Sequence, residues 1–206
     1  MTNIMNQLIH LFVAGGFVMY PLLIASIIVV AIAIERSVFY HRSKSNLSLL
    51  HERLGSLIKK NSWDEVKELL AKVGGSISVI LIDAVIQKEH VVNLGEYLMG
   101  TCSQAADRLK DQLNYLSAIV TLSPLMGLLG TVIGMIRSFD VLSASEGEPF
   151  AITAGVAEAL VATGFGLFVA ILALIVHVWL SQLANRRIAD IEAGVNLFLT
   201  SFSSLK

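Results

Sequence analysis

Three polar side chains stand in apolar surroundings where each has a chemical cost: Thr131 in "GLLGTVIGM", and Glu158 and Thr163 in "AEALVATG". Between Pro149 and Asn185 the only acid is Glu158, and there is no Lys or Arg. A charged group at bilayer depth costs about 2.5 kcal/mol or more, and such acids face a protein interior or a water path and mark ion or proton routes. Close to an interface an acid can instead snorkel outward or pair with a base, and Arg137 is the available partner. Mid-membrane threonines either back-bond to their own helix carbonyls or line a wet passage. Counted inward from the outer boundary at 1.5 Å per residue, Thr131 lies about 12 Å deep, Thr163 about 16 Å and Glu158 about 9 Å. Hydroxyls at similar depth on adjacent antiparallel helices would make a collar. At 100° per residue Glu158 and Thr163 point about 140° apart, so the acid and the collar need not share a surface.

Small residues surround all three. Gly127, Gly130 and Gly134 follow Pro124 in one stretch; Ala154, Gly155, Ala157, Ala162, Gly164, Gly166 and Ala170 recur in the other. Glycine at such spacing lets membrane helices approach closely, so Gly127, Gly130, Gly134 and Gly164 are candidate packing positions. Small residues on two helices also suit a ring of subunits. His177 falls near the far end of the second stretch, beside Trp179, where an interfacial position is expected. Arg137 has a helical-spacing neighbour in Asp140, a surface pair worth little. Cys102 reads as a small apolar residue of the cytoplasmic bundle.

The elements that must position these groups follow from hydropathy. Of 206 residues 55% are hydrophobic and only 15% charged, which is far from a soluble domain. Residues 14–34, 112–136 and 150–184 are each long and apolar enough to cross a bilayer. Lys and Arg cluster between Arg36 and Lys110, with Arg186, Arg187 and Lys206 after the third span; Arg137 alone falls on the other side. The positive-inside rule then puts the N-terminus outside and the C-terminus in the cytoplasm. The first span is expected to be retained, because no basic stretch precedes it.

The chain accordingly divides into an outer-side amphipathic helix (1–13), a first transmembrane helix (14–36), a cytoplasmic helical domain (37–111), a second transmembrane helix (112–139), an outer loop (140–150), a third transmembrane helix (151–184) and a cytoplasmic helical tail (185–206). In the polar block, Ser62 and Glu65 form a capping-box pattern, Trp63, Val66, Leu69, Leu70 and Val73 make one apolar face, and Gly74-Gly75 gives a stop. A second start at Asn93, with Glu96 three residues on, opens a helix that the pattern carries without a break to about Phe139. Its roughly 46 residues would be about 69 Å long, twice the hydrocarbon core. The fold class is all-α and integral to the membrane, with three transmembrane helices, two of them long and extending into a cytoplasmic helical bundle.

Net charge of −1 excludes a global basic field for nucleic acid, one cysteine excludes an internal disulfide framework, and no metal or nucleotide motif is present. No nucleophile, base and oxyanion set suggests an enzyme, and no inverted repeat suggests a solute carrier. "GLLGTVIGM", followed by "GVAEALVATGFGLFVAI" some twenty residues later, resembles the signature of the proton-channel family that contains ExbB, TolQ and MotA. "GGFVMYPLLIASIIVVAIAIERSVF" is similar to the first segment of ExbB-type members, and three spans fit ExbB and TolQ better than MotA. The resemblance implies a pentamer in the bacterial inner membrane, with its outer side in the periplasm and no cofactor. That ring would surround an ExbD- or TolR-like single-span partner carrying a transmembrane Asp, and would energise a TonB- or TolA-like transducer with protons. It also implies Thr131 and Thr163 as pore threonines and Glu158 as the acid of the motif. The alternatives are a TolQ-type role in envelope integrity and a non-conducting scaffold.

Overall fold

The computed structural model describes residues 12, 14–88, 90–144 and 149–204, with the backbone alone at 141–144 and 149–152. Among them seven helices are delimited: α1 Met19–Arg42, α2 Leu47–Lys59, α3 Trp63–Val73, α4 Gly75–Gln87, α5 Leu94–Lys110, α6 Leu113–Ala144 and α7 Pro149–Ser203. The fold is all-α. The stretches Met19–Lys59, Leu94–Asp140 and Thr153–Ser203 each hold an apolar window, of mean hydropathy 2.3, 2.0 and 2.7, long enough to cross a membrane. The amphipathic helix expected over residues 1–13 lies outside the described residues but for Phe12. The expected loop over residues 140–150 is entered by helix from both sides, since α6 runs to Ala144 and α7 begins at Pro149.

The chain forms two compact units, one of Met1–Ile34 and Gln112–Val178, the other of Glu35–Asp111 and Trp179–Lys206. In the first, Val18 just before α1 and Met19, Leu22, Val29 and Ile32 along it are buried, a single helical face. Leu125, Leu128, Ile136, Leu160, Phe168, Ile171 and Ile175 are exposed, as residues meeting lipid or neighbouring chains would be.

The second unit has the core of a water-soluble bundle. Leu50, Leu54 and Ile58 of α2 recur every fourth residue and are fully buried. Val66, Leu69, Leu70 and Val73 of α3 join them, the apolar face expected from the sequence. Ile77, Leu81 and Ala84 of α4, Leu98 of α5, and Leu180, Ala184 and Phe198 of α7 complete it. Trp63 is half-buried beneath the Lys88 ammonium, which lies 3.5 Å from the ring centroid, a cation–π contact.

Local signals worked where they rest on neighbouring residues. Asn93 caps α5 with its side-chain oxygen, accepting from the backbone N–H of Gly95 and Glu96 at 3.1 and 3.3 Å. Gly74, at φ +65°, ends α3. Ser62 is the N-cap of α3, but its side chain makes no capping hydrogen bond, so the expected capping box is not formed.

The expected continuous helix from Asn93 to Phe139 is broken. α5 ends at Lys110, Gln112 takes φ +65°, and α6 begins at Leu113. The reason is tertiary. The Arg36 guanidinium donates to the Arg108 carbonyl at 3.0 Å and meets the Asp111 carboxylate at 3.5 Å, and the Tyr40 hydroxyl donates to the Leu109 carbonyl at 2.6 Å. The last carbonyls of α5, which a continuing helix would engage, are taken by two side chains, and a cation at a helix C-terminus is favourable. Tyr40→Phe leaves the buried Leu109 carbonyl short of its partner. It is expected to destabilise this unit by about 1–2 kcal/mol, read as a lowered midpoint in a thermal melt. An unchanged midpoint would show that the cap contributes nothing.

Candidate functional site

The three polar residues of the apolar segments sit around one antiparallel helix pair. Along the α6–α7 seam, backbones touch because side chains are missing. A Cβ on Gly166 would stand 2.6 Å from the Ser123 carbonyl and 3.0 Å from the Gly127 Cα. One on Gly127 would stand 3.1 Å from the Ala162 carbonyl and from the Thr163 Cα. One on Gly134 would come 2.8 Å from the Gly155 carbonyl and 3.1 Å from the Ala159 Cβ. Gly130 faces Ala162, and Gly155 faces the buried Ser138. The stripe is therefore Ser123, Gly127, Gly130, Gly134 and Ser138 on α6, against Gly155, Ala159, Ala162 and Gly166 on α7. Gly164, expected among the packing glycines, does not belong to it: a Cβ there meets nothing within 4 Å. It lies two residues, about 200°, from Gly166 and so on the opposite face.

Thr131 and Thr163 flank this seam. At 100° per residue Thr131 lies about 60° from the middle of the α6 stripe, and Thr163 about 70° from that of α7 in the same rotational sense. In an antiparallel pair the same sense means the same side. The register of the glycine contacts brings the two within about one helical turn of each other along the seam. The Thr163 hydroxyl donates across the interface to the Gly127 carbonyl at 3.2 Å. The Thr131 hydroxyl donates to the Leu128 carbonyl of its own helix at 2.7 Å. Gly127 thus joins the pair: within the α6 ladder its carbonyl also receives the Thr131 backbone N–H.

Glu158 is on the other side. It lies about 70° from the α7 stripe in the opposite sense, as Arg137 does on α6 at about 60°. The two form an ion pair, with the Arg137 guanidinium donating to Glu158 Oε1 at 3.0 Å. Glu158 is mostly shielded, with its side chain 22% exposed, whereas that of Arg137 is 57% exposed. The same carboxylate rests on the turn that leads into α1. Gly16 holds φ +70°, and a Cβ there would overlap Glu158 Oε1. Gly15 and Val18 also lie on this side, against Val161 and Gly130. The start of α1 therefore covers the ion-pair side of the seam.

The sequence separates Glu158 from Thr163 by angle but does not show which side is covered, and it gives no sign of Gly16. Gly16 becomes legible only once its positive φ and the carboxylate above it are seen. His177 was expected at the interface. It continues the stripe of α7 at helical spacing from Ala162, Gly166, Ala170 and Ala173, and its Nδ1 is buried with no hydrogen-bond partner among the described residues. Among the described residues no cluster of three His, Cys, Asp or Glu side chains is placed to hold a metal ion.

Comparison with known proteins gives the same segments a context. A family model described as the MotA/TolQ/ExbB proton channel family matches residues 65–193. A putative biopolymer transport protein of Synechocystis sp., ExbB-like 3, is 32% identical over 79% of this chain and 79% of its own length. The biopolymer transport protein ExbB of Salmonella typhimurium is 29% identical over 87% of this chain and 79% of its own. The Tol-Pal system protein TolQ of Haemophilus influenzae is 34% identical over 48% of this chain and 42% of its own.

Proposed function

Because the chain belongs to the MotA/TolQ/ExbB proton channel family, we propose that it is the ring-forming subunit of an inner-membrane proton-driven motor of the ExbB type. Five copies surround the single span of an ExbD- or TolR-like partner, and the ring energises a TonB- or TolA-like transducer. The unit rich in Lys and Arg lies in the cytoplasm, and the outer ends of α6 and α7 face the periplasm. The ExbB type is favoured over the TolQ type by the extent of similarity, which runs over 87% of the chain for ExbB of Salmonella and 48% for TolQ of Haemophilus.

The observation that carries this reading is the asymmetry of the helix pair. The start of α1 covers one side of the seam, and the side bearing Thr131 and Thr163 is left for the lumen of the ring. Both hydroxyl protons are already committed to carbonyls, so each threonine presents oxygen lone pairs outward. Such a collar accepts a hydrogen bond from a neutral carboxylic acid on the partner span. To donate to a carboxylate instead, a hydroxyl must first leave its carbonyl, giving up about 1 kcal/mol. The collar therefore discriminates the protonation states of the passing acid. One elementary charge crossing 100 mV releases about 2.3 kcal/mol, so a few protons per step suffice to move one helix against another.

The test is reconstitution of the chain with its single-span partner in vesicles carrying a pH dye and an imposed potential. Proton flux is expected only when both proteins are present, and it should vanish when the partner's transmembrane Asp is replaced by Asn. A vesicle in which the partner makes no difference to flux would favour a non-conducting scaffold.

A further inference from the structure

Arg137 and Glu158 come from two different helices, and Glu158 also lies against the backbone of a third element, the Gly16 turn. From these contacts we infer that Glu158 is a fixed ionic clamp in this chain, tying α6 and α7 to the Gly16 turn, with Arg137 as its positioning residue. This inference rests on the motor reading above and narrows it, because it leaves the path to the threonine side alone.

Three observations support the clamp. The ion pair lies across the seam from Thr131 and Thr163, so a proton held by Glu158 would be on the covered side of the helix pair. The guanidinium donates at 3.0 Å to the same Oε1 that overhangs Gly16, so the carboxylate is held from the α6 side and from the α1 side at once. Gly16 adopts a left-handed φ of +70° and has no Cβ, which leaves the room that this carboxylate occupies. One carboxylate oxygen is thus wedged between a cation and a backbone turn. Near the membrane boundary, removing one partner leaves an uncompensated charge, so loss of either residue alone is worse than loss of both.

The experiment is a double-mutant cycle on the full-length chain in nanodiscs and, with its partner, in the flux vesicles. Glu158→Gln alone is expected to lower flux at least fivefold, because the Arg137 guanidinium loses the carboxylate that ties α6 to α7. Arg137→Gln with Glu158→Gln should return flux to within twofold of wild type with an unchanged pH profile. Arg137→Lys, which keeps the cation, should stay near wild type. If the double variant stays as inactive as Glu158→Gln while Arg137→Gln alone is active, the carboxylate itself is required and the clamp is refuted. The melting points of the same variants without partner give an independent answer: non-additive shifts support the clamp, and additive shifts overturn it. Absence of flux from the wild-type pair would refute the motor reading, and the melting cycle would still decide the clamp.

Discussion

Replacing both Thr131 and Thr163 by valine is expected to reduce partner-dependent proton flux at least a hundredfold while the oligomer still assembles and its melting point falls by no more than about 8 °C. Valine keeps the branched shape and removes only the hydroxyl, so packing beside the seam is preserved. No carbonyl is orphaned by the change. Leu128 and Gly127 accept the two hydroxyls, but both carbonyls also serve the α6 backbone ladder. The structural cost is then the net worth of two hydrogen bonds, about 1 kcal/mol each, with little left unsatisfied. What disappears is every oxygen lone pair that the pair offers to a passing acid, and with it the discrimination between neutral and ionised forms. Each single substitution leaves half a collar and should give an intermediate flux. Wild-type flux from the double variant, measured beside size-exclusion and melting controls, would end the collar hypothesis.

Gly166→Leu should have the largest effect on the fold. A Cβ alone would stand 2.6 Å from the Ser123 carbonyl and 3.0 Å from the Gly127 Cα. Both are backbone atoms, so no rotamer change relieves the overlap and the two helices must separate. Overpacking of this kind costs about 1–3 kcal/mol in a soluble core, and here the separation also lengthens the Thr163–Gly127 hydrogen bond and weakens the Arg137–Glu158 pair. Loss of the assembled oligomer, or a melting point lower by up to about 12 °C, is expected. Gly164→Leu is the matched control, since a Cβ there meets nothing within the chain. Equal destabilisation by the two would mean that the seam is not where the helices are closest.

The contrast between these glycines shows how far the sequence could be read. Three spans were legible because hydropathy is a local sum over some twenty residues. Asn93 and Gly74 were legible because caps and stops act on their own neighbours. Composition put Gly164 among the packing candidates and left Gly166 out, whereas the periodicity through Gly155, Ala159, Ala162 and Gly166 puts Gly166 on the seam and Gly164 off it. The break at Asp111–Gln112 was not legible, because its cause is Arg36 and Tyr40, which arrive from a distant part of the chain to occupy the carbonyls of Arg108 and Leu109. The 140° between Glu158 and Thr163 meant that they need not share a surface. Which surface was covered depended on the Gly16 turn, and no pattern in the sequence ties that turn to a carboxylate 142 positions later (158 − 16).

The glycine seam has a further consequence for how this protein changes over evolutionary time. Where one backbone lies on another there are no side chains to trade, so a change on α6 cannot be compensated by a matching change on α7. Paired substitutions can therefore accumulate at Arg137 and Glu158, whose charges can be lost or exchanged together, but not at Gly127, Gly134 or Gly166. The tight contact that fixes the register of the two helices would leave no trace of covariation among descendants. Its record would be invariance, spaced every third or fourth residue.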